Sequence, residues 1–186
     1  MRWTRLALGS QDCLVASLAR LCSRASSEGN NHALRRVLFA AGRRNVHIIT
    51  TQVEHPAVIN PCRFLEGLGV KLTYLRVDGY GRVDPDDVRR ALEPSTVLIS
   101  VMHADNEVGT LQPIAEIART VRGSGILLHT DATQSVGKIP FGVAELEVDL
   151  LSVAGHKLYA PQGVGTLHID PEVAMSQREP PINEQI

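Results

Sequence analysis

Two short segments hold side chains that can do chemistry together. In Ser152-Val153-Ala154-Gly155-His156-Lys157 an apolar run leads straight into a Gly-His-Lys corner. A lysine at the end of a core strand can form a Schiff base, because burial favours its free amine. A surface lysine in a turn is the plainer reading of that segment alone. In His129-Thr130-Asp131-Ala132-Thr133-Gln134 another apolar run ends on an aspartate. A helix cap or turn is the ordinary use of an aspartate there. A strand-end Asp followed by a strand-end Lys is, however, the partnership of a pyridoxal-phosphate site. The carboxylate pairs with the pyridine nitrogen and keeps the ring electron-withdrawing, while the lysine carries the aldehyde carbon.

Two more segments end in polar groups. Met102-His103-Ala104-Asp105-Asn106-Glu107-Val108-Gly109 brings an amide, Asn106, that can hydrogen-bond a phenolic oxygen. Glu54-His55-Pro56 brings an imidazole that can stack on a ring face and relay protons near neutral pH. Loop polarity and helix capping account for either segment taken singly. His103, Asp105, His129 and Asp131 have the side-chain types of zinc ligands. Their spacing is looser than zinc sites usually show, and no metal is expected.

The elements that must position these groups alternate along the chain. Asn30 to Ala41 reads as a helix with Asn30 or Asn31 available as a cap and Leu34, Val37 and Leu38 on one face. Val46–Thr51 is a β-branched run, hence a buried strand. Pro56 to Leu68 is a helix, with Pro56 suited to its first turn and Gly69 past its end. Lys71–Val77 is a strand, residues 78–81 a turn, and Asp84-Pro85 starts a helix running to Leu92. Thr96–Met102, Ile126–Thr130, Leu150–Val153 and Val164–Ile169 are further strands. Ile114, Ile117, Ala118 and Val121 mark a helix. The alternation predicts an α/β fold, a three-layer sandwich whose mixed sheet is mostly parallel. Ligands of such sheets bind beyond the carboxyl ends of the strands, where all four polar segments fall.

Composition narrows the function classes. The chain has 186 residues, 44% of them hydrophobic and 21% charged, with net charge −1. There is no basic excess to attract nucleic acid or an anionic membrane. Aromatic residues are 4%, too few for base-stacking platforms. No apolar run reaches membrane-spanning length. Cys13, Cys22 and Cys62 are scattered and odd in number, which suits a reduced cytoplasmic setting. Residues 1–25 are rich in Arg and Ser with Asp12 as the single acid. They read as a divergent start, or as a mitochondrial presequence.

The strings HIITTQVEHPAV, ISVMHADNEVGT, HTDATQSVGK and SVAGHKLYAPQGVG, in that order and spacing, resemble the cysteine desulfurase and selenocysteine lyase family of the class V aminotransferase group. The resemblance runs from about Ser26 to Ile169. It implies the large domain of a fold type I pyridoxal-phosphate enzyme over residues 26–170; residues 171–186, broken by prolines and without an apolar pattern, read as a frayed tail. It implies pyridoxal 5'-phosphate as cofactor, Lys157 as the Schiff-base lysine and Asp131 on the pyridine nitrogen. His55 would stack on the ring and transfer protons. Asn106 and Gln134 would touch the phenolic oxygen, and His156 the phosphate. Ser27 stands where a phosphate-binding threonine is usual. The implied reaction removes sulfur or selenium from cysteine or selenocysteine and leaves alanine. The implied partners are an acceptor protein and a second copy of the chain. A non-catalytic remnant and an aminotransferase with another amino-acid substrate are the competing readings.

Three features depart from the family pattern. None of Cys13, Cys22 and Cys62 matches the family's catalytic cysteine, which rides on a loop of a second, smaller domain beyond Ile169. This polypeptide alone is therefore expected to turn over little substrate. Ser23-Arg24-Ala25-Ser26 lacks the glycine that lets backbone amides approach a phosphate. Ala154 stands where many desulfurases have a serine, and one hydrogen bond to a charged acceptor is worth roughly 1.5–3 kcal/mol.

Overall fold

The computed structural model describes residues 20–23, 26–40, 46–161, 163–170 and 173. Strands β1 (Arg20–Ser23), β2 (His47–Thr51), β3 (Lys71–Leu75), β4 (Thr96–Ser100), β5 (Leu127–Asp131), β6 (Leu150–Ala154) and β7 (Gly165–Ile169) form one sheet in the order β1-β7-β6-β5-β4-β2-β3. The run from β3 through β2, β4 and β5 to β6 is parallel, while β7 and β1 are antiparallel. The strands expected to be neighbours are therefore contiguous in a mixed, mostly parallel sheet. The α-helices among the described residues are α1 (Ser26–Ala40), α2 (Pro56–Gly67), α3 (Pro85–Ala91), α4 (Ile114–Val121) and α5 (Val143–Leu146).

The helices divide between the two faces of the sheet because strand side chains alternate. Ile48, Leu98, Leu150 and Leu167 point to one face and pack with Ala33 and Leu34 of α1 and with Val58, Cys62 and Leu65 of α2. Ile49, Ile99, Leu128 and Leu151 point to the other and pack with Val88, Ile117, Val121 and Leu146 of α3, α4 and α5. Both faces are thus covered, which is why the parallel strands read as continuous apolar runs. The stripe Ile114, Ile117, Ala118 and Val121 is buried throughout, as its helical spacing requires. At α2, Pro56 opens the first turn and Gly69, at φ +90°, follows the end.

Several boundaries differ from the sequence expectation. Residues 20–23, grouped with the divergent segment 1–25, form β1 on the edge of the sheet, where they pair with β7. Residues 1–19, with the presequence reading, and most of the tail 171–186 lie outside the described residues. Helix α1 begins at Ser26, so Asn30 is an interior helical residue and not a cap. Strand β3 stops at Leu75, because Asp78 folds the chain back by accepting Tyr80 N at 2.8 Å and Arg82 N at 2.9 Å. Helix α5 and the 3-10 turn Gly155–Leu158 were not foreseen; both are four residues long, too short for a periodic signal.

Candidate active site

Strand order reverses between β2 and β4: the chain goes from β2 outward to β3, then returns to lay down β4, β5 and β6 on the other side. Such a switch point leaves a crevice at the carboxyl ends, because the two connections leave on opposite faces. A cavity of about 680 Å³ opens there. Its walls are the turn after β2 (Gln52 to Pro56), the turn at residues 79–81, and the loop after β4 (Asp105 to Val108, with Thr110).

Each wall is pinned by a named bond. Asp105 is buried, and its Oδ1 accepts Glu107 N at 2.7 Å and Val108 N at 2.8 Å, which folds the loop and leaves Asn106 exposed. Gln112 ties that loop to its neighbour, since its Nε2 donates to Gly81 O at 2.7 Å and its Oε1 accepts Val83 N at 2.9 Å. His55 is the N-cap of α2, and its Nδ1 accepts Ala57 N at 3.1 Å. That bond leaves the ring proton of the neutral imidazole on Nε2. The capping expected of this segment and an imidazole at a cavity wall are thus the same residue.

Asp131 ends β5, one strand beyond β4, and is 7% exposed. Its Oδ2 accepts Asn30 Nδ2 from α1 at 2.7 Å, and its Oδ1 accepts Thr133 N at 3.0 Å. None of the ion pairs among the described residues includes it. A buried carboxylate held only by neutral donors is unusual, because charge is costly to bury without an opposite charge.

Behind Asp131, on the same side of β5, lies His129. Its Nδ1 meets Ser100 Oγ at 2.8 Å and its Nε2 meets Ser152 Oγ at 2.9 Å, so one ring bridges three strands. Burial holds the imidazole down to about 4, against the pull of Asp131, so it is neutral near pH 7. Glu54 is buried. Its Oε1 accepts Thr51 Oγ1 at 2.9 Å and Met102 N at 2.8 Å. Burial first, and then the nearby Asp131 and Asp105, push its carboxyl up to about 8, against the pull of those two hydrogen bonds.

Strand β6 delivers the lysine. Gly155 N donates to Val164 O at 2.8 Å, and a Cβ on Gly155 would stand 2.7 Å from that oxygen, so the corner admits only glycine. His156 and Lys157 follow in the 3-10 turn and are exposed, so Lys157 is not the buried strand-end lysine the sequence led one to expect, because the chain turns at Gly155 before reaching it. Gln134, after β5, is half-buried and accepts from Lys138 Nζ. Ser27 lies in the first turn of α1 in a separate shallow depression with Glu28, Asn31, His32 and Arg35.

The structure therefore puts His55, Asn106, Asp131, Gln134, His156 and Lys157 at or beyond the carboxyl ends of four adjacent strands. Of these, His55 and Asn106 line the switch-point cavity. The four residues with zinc-ligand chemistry do not act as a set: His103 Nδ1 meets Ser135 Oγ at 2.8 Å, and His129, Asp105 and Asp131 have the partners given above. Asn30 and Glu54 escaped the sequence reading as site residues. Asn30 shares a helical stripe with Ala33 and Leu34, and a polar residue on a buried stripe was the signal available.

A switch-point crevice, a strand-end carboxylate and a lysine just past a strand end thus share one edge of this α/β sheet. A family model, Aminotransferase class-V, matches residues 22–182, and the chain belongs to that family. Within it, the chain is 54% identical over 143 residues to the cysteine desulfurase IscS of Dictyoglomus turgidum, covering 77% of this chain and 36% of that protein. It is 46% identical over 143 residues to the cysteine desulfurase IscS of Methanosarcina thermophila, covering 77% and 35%. A solved structure described as SspA in complex with cysteine superposes with TM-score 0.78 at 38% identity, covering 81% of this chain and 43% of that one. A NifS-like protein superposes with TM-score 0.79 at 37% identity, covering 83% and 43%. The chain thus spans about a third of the length of these curated relatives. Class-V aminotransferases and their cysteine desulfurases are pyridoxal-phosphate enzymes of fold type I, and the sheet described here is the large-domain sheet of that fold.

Proposed function

We propose that residues 26–170 are the cofactor-binding part of a pyridoxal-phosphate enzyme that removes sulfur from cysteine and leaves alanine. The observation that carries this is Asp131: a buried carboxylate without a Lys or Arg partner among the described residues, on the strand beside the one that leads into the turn with Lys157. A pyridinium nitrogen is the cation that such a group suits. Asn30 and Thr133 N aim the carboxylate, as a fixed ring requires. When bound, the cofactor supplies the electron sink that lets a substrate Cα–H bond break.

The chain's own residues would then divide the work. Lys157 would hold the cofactor. His55, whose Nδ1 is taken by Ala57 N, would lie against the ring and move protons through Nε2. Asn106 and Gln134 would bind the phenolic oxygen and His156 the phosphate, with Ser27, in its separate depression on α1, as a further phosphate candidate. Cysteine as substrate is supported by the names of the relatives and by the cysteine complex of SspA; selenocysteine is the alternative within the same chemistry.

A homodimer and a sulfur or selenium acceptor protein belong to the same proposal, and exposed Tyr80 and Val108 at the cavity wall give either partner an apolar contact. The cytoplasm is the proposed compartment, with the mitochondrion as the alternative if residues 1–25 direct import. No helix among the described residues is long and apolar enough to cross a membrane.

The test is a titration with pyridoxal phosphate, followed by the visible absorbance of the lysine-bound cofactor and then by addition of L-cysteine or L-alanine. Saturable absorbance that is absent in Lys157→Ala, and a spectral change specific to cysteine, are the expected results. No saturable absorbance in the wild-type chain would contradict the reading.

A further inference from the structure

The hydrogen-bond ladder between β2 and β4 ends at the pair Thr50–Ser100, yet the backbone of β4 runs on. Successive N–H groups of an inner parallel strand point alternately to its two neighbours. Val101 N goes to His129 O at 3.1 Å and His103 N to Asp131 O at 3.0 Å, both on the β5 side. Met102 N therefore faces β2, which has already turned away toward α2. Its acceptor is the Glu54 carboxyl, at 2.8 Å. The same oxygen accepts Thr51 Oγ1 from the last residue of β2, so one side chain spans the gap where the two strands part.

We propose that Glu54 is a positioning residue of the cofactor site, whose carboxyl stands in for the missing strand and sets the spacing between His55 and the loop that carries Asn106. The inference rests on the cofactor reading above. Only one oxygen of the carboxyl is used: Oε1 takes both donors, while Oε2 is buried with no hydrogen-bond partner among the described residues. Burial also disfavours a charge on this group. An amide has the same carbonyl acceptor, so glutamine should replace this side chain while alanine should not. Aspartate, one methylene shorter, should fall short of Met102.

Two measurements on Glu54→Gln and Glu54→Ala test this. In the chain without cofactor, hydrogen exchange at the Met102 amide should stay slow in Glu54→Gln and speed up by about tenfold or more in Glu54→Ala, the equivalent of one hydrogen bond of about 1.4 kcal/mol. With pyridoxal phosphate, Glu54→Ala should bind about tenfold or more weakly and alter the circular dichroism of the bound cofactor, whereas Glu54→Gln should match wild type in both. Met102 exchange unchanged in Glu54→Ala would overturn the geometry. Exchange altered with cofactor affinity and dichroism both intact would reduce Glu54 to a structural residue and overturn the proposal. Failure of the wild-type chain to bind pyridoxal phosphate would overturn the cofactor reading and the positioning role together, and the exchange data would still tell whether Glu54 holds Met102.

Discussion

Asp131 and Lys157 carry the cofactor reading, but Asn30 decides how well Asp131 can serve. Its amide is the side-chain donor to Oδ2, at 2.7 Å, and it comes from α1, far away in sequence. Asn30→Ala removes that bond and lets the carboxylate turn. We expect pyridoxal-phosphate affinity to fall about tenfold, the scale of a hydrogen bond to a charged acceptor, with absorbance titration as the measurement. A second residue-scale expectation concerns Cys62. Its thiol is fully buried in the core beside α1, and burial pushes it up to about 12, which removes the nucleophilic thiolate near pH 7. Cys62 in the native chain should resist alkylation by iodoacetamide and react only on unfolding. Cys62→Ser should leave cofactor binding intact while costing about 1–3 kcal/mol, because it buries a hydroxyl without a partner. Denaturant unfolding measures that cost.

At the scale of elements, the buried titratable groups make the join between strands pH-sensitive, with opposite signs. His129 bridges β4, β5 and β6 as a neutral ring at about 4, against an ordinary 6.5. Between those values the unfolded chain binds a proton that the folded chain refuses, so this contribution is full above pH 6.5 and is lost as pH falls toward 4. Burial lowers His47 and His103 as well, which adds to the acid side. Glu54 acts the other way: raised from 4.5 to about 8, it contributes fully below pH 4.5 and loses that contribution as pH rises toward 8. The melting temperature of Glu54→Gln minus that of wild type should therefore increase from pH 4.5 to 8, and the decline toward pH 4 should persist in the variant. Thermal melts across that range check both signs.

The element scale also marks how far the sequence was legible. The parallel strands β2 to β6 and the helix α4 were readable because β-branched runs and a helical stripe of apolar residues are local signals. His55, Asn106, Asp131 and Lys157 were readable as strand-end polar groups for the same reason. Strand β1 was not, since an edge strand of four residues makes sense only against β7, almost 150 residues later. Asn30 and Glu54 were not, because their roles come from contacts with Asp131 and Met102 across the fold, while the local sequence offered each a commoner role as cap or loop residue.

For the whole molecule, two cores separated by one sheet hold the site edge in place. Ile99, fully buried on the α4 side of the central strand β4, shows what that packing is worth: Ile99→Ala should cost about 2–5 kcal/mol through lost burial and the cavity it leaves, read by denaturant unfolding. The central claim is that the carboxyl edge of this sheet holds pyridoxal phosphate on Lys157 with Asp131 as the partner of the ring nitrogen. The most direct measurement is to load the chain with pyridoxal phosphate, reduce it with borohydride, and map the pyridoxyl group by peptide mass spectrometry in the wild type and in Asp131→Asn. The account predicts the label on Lys157 at near one-to-one occupancy in the wild type and sharply reduced in Asp131→Asn. A label spread over surface lysines, or one on Lys157 indifferent to Asp131, would contradict it.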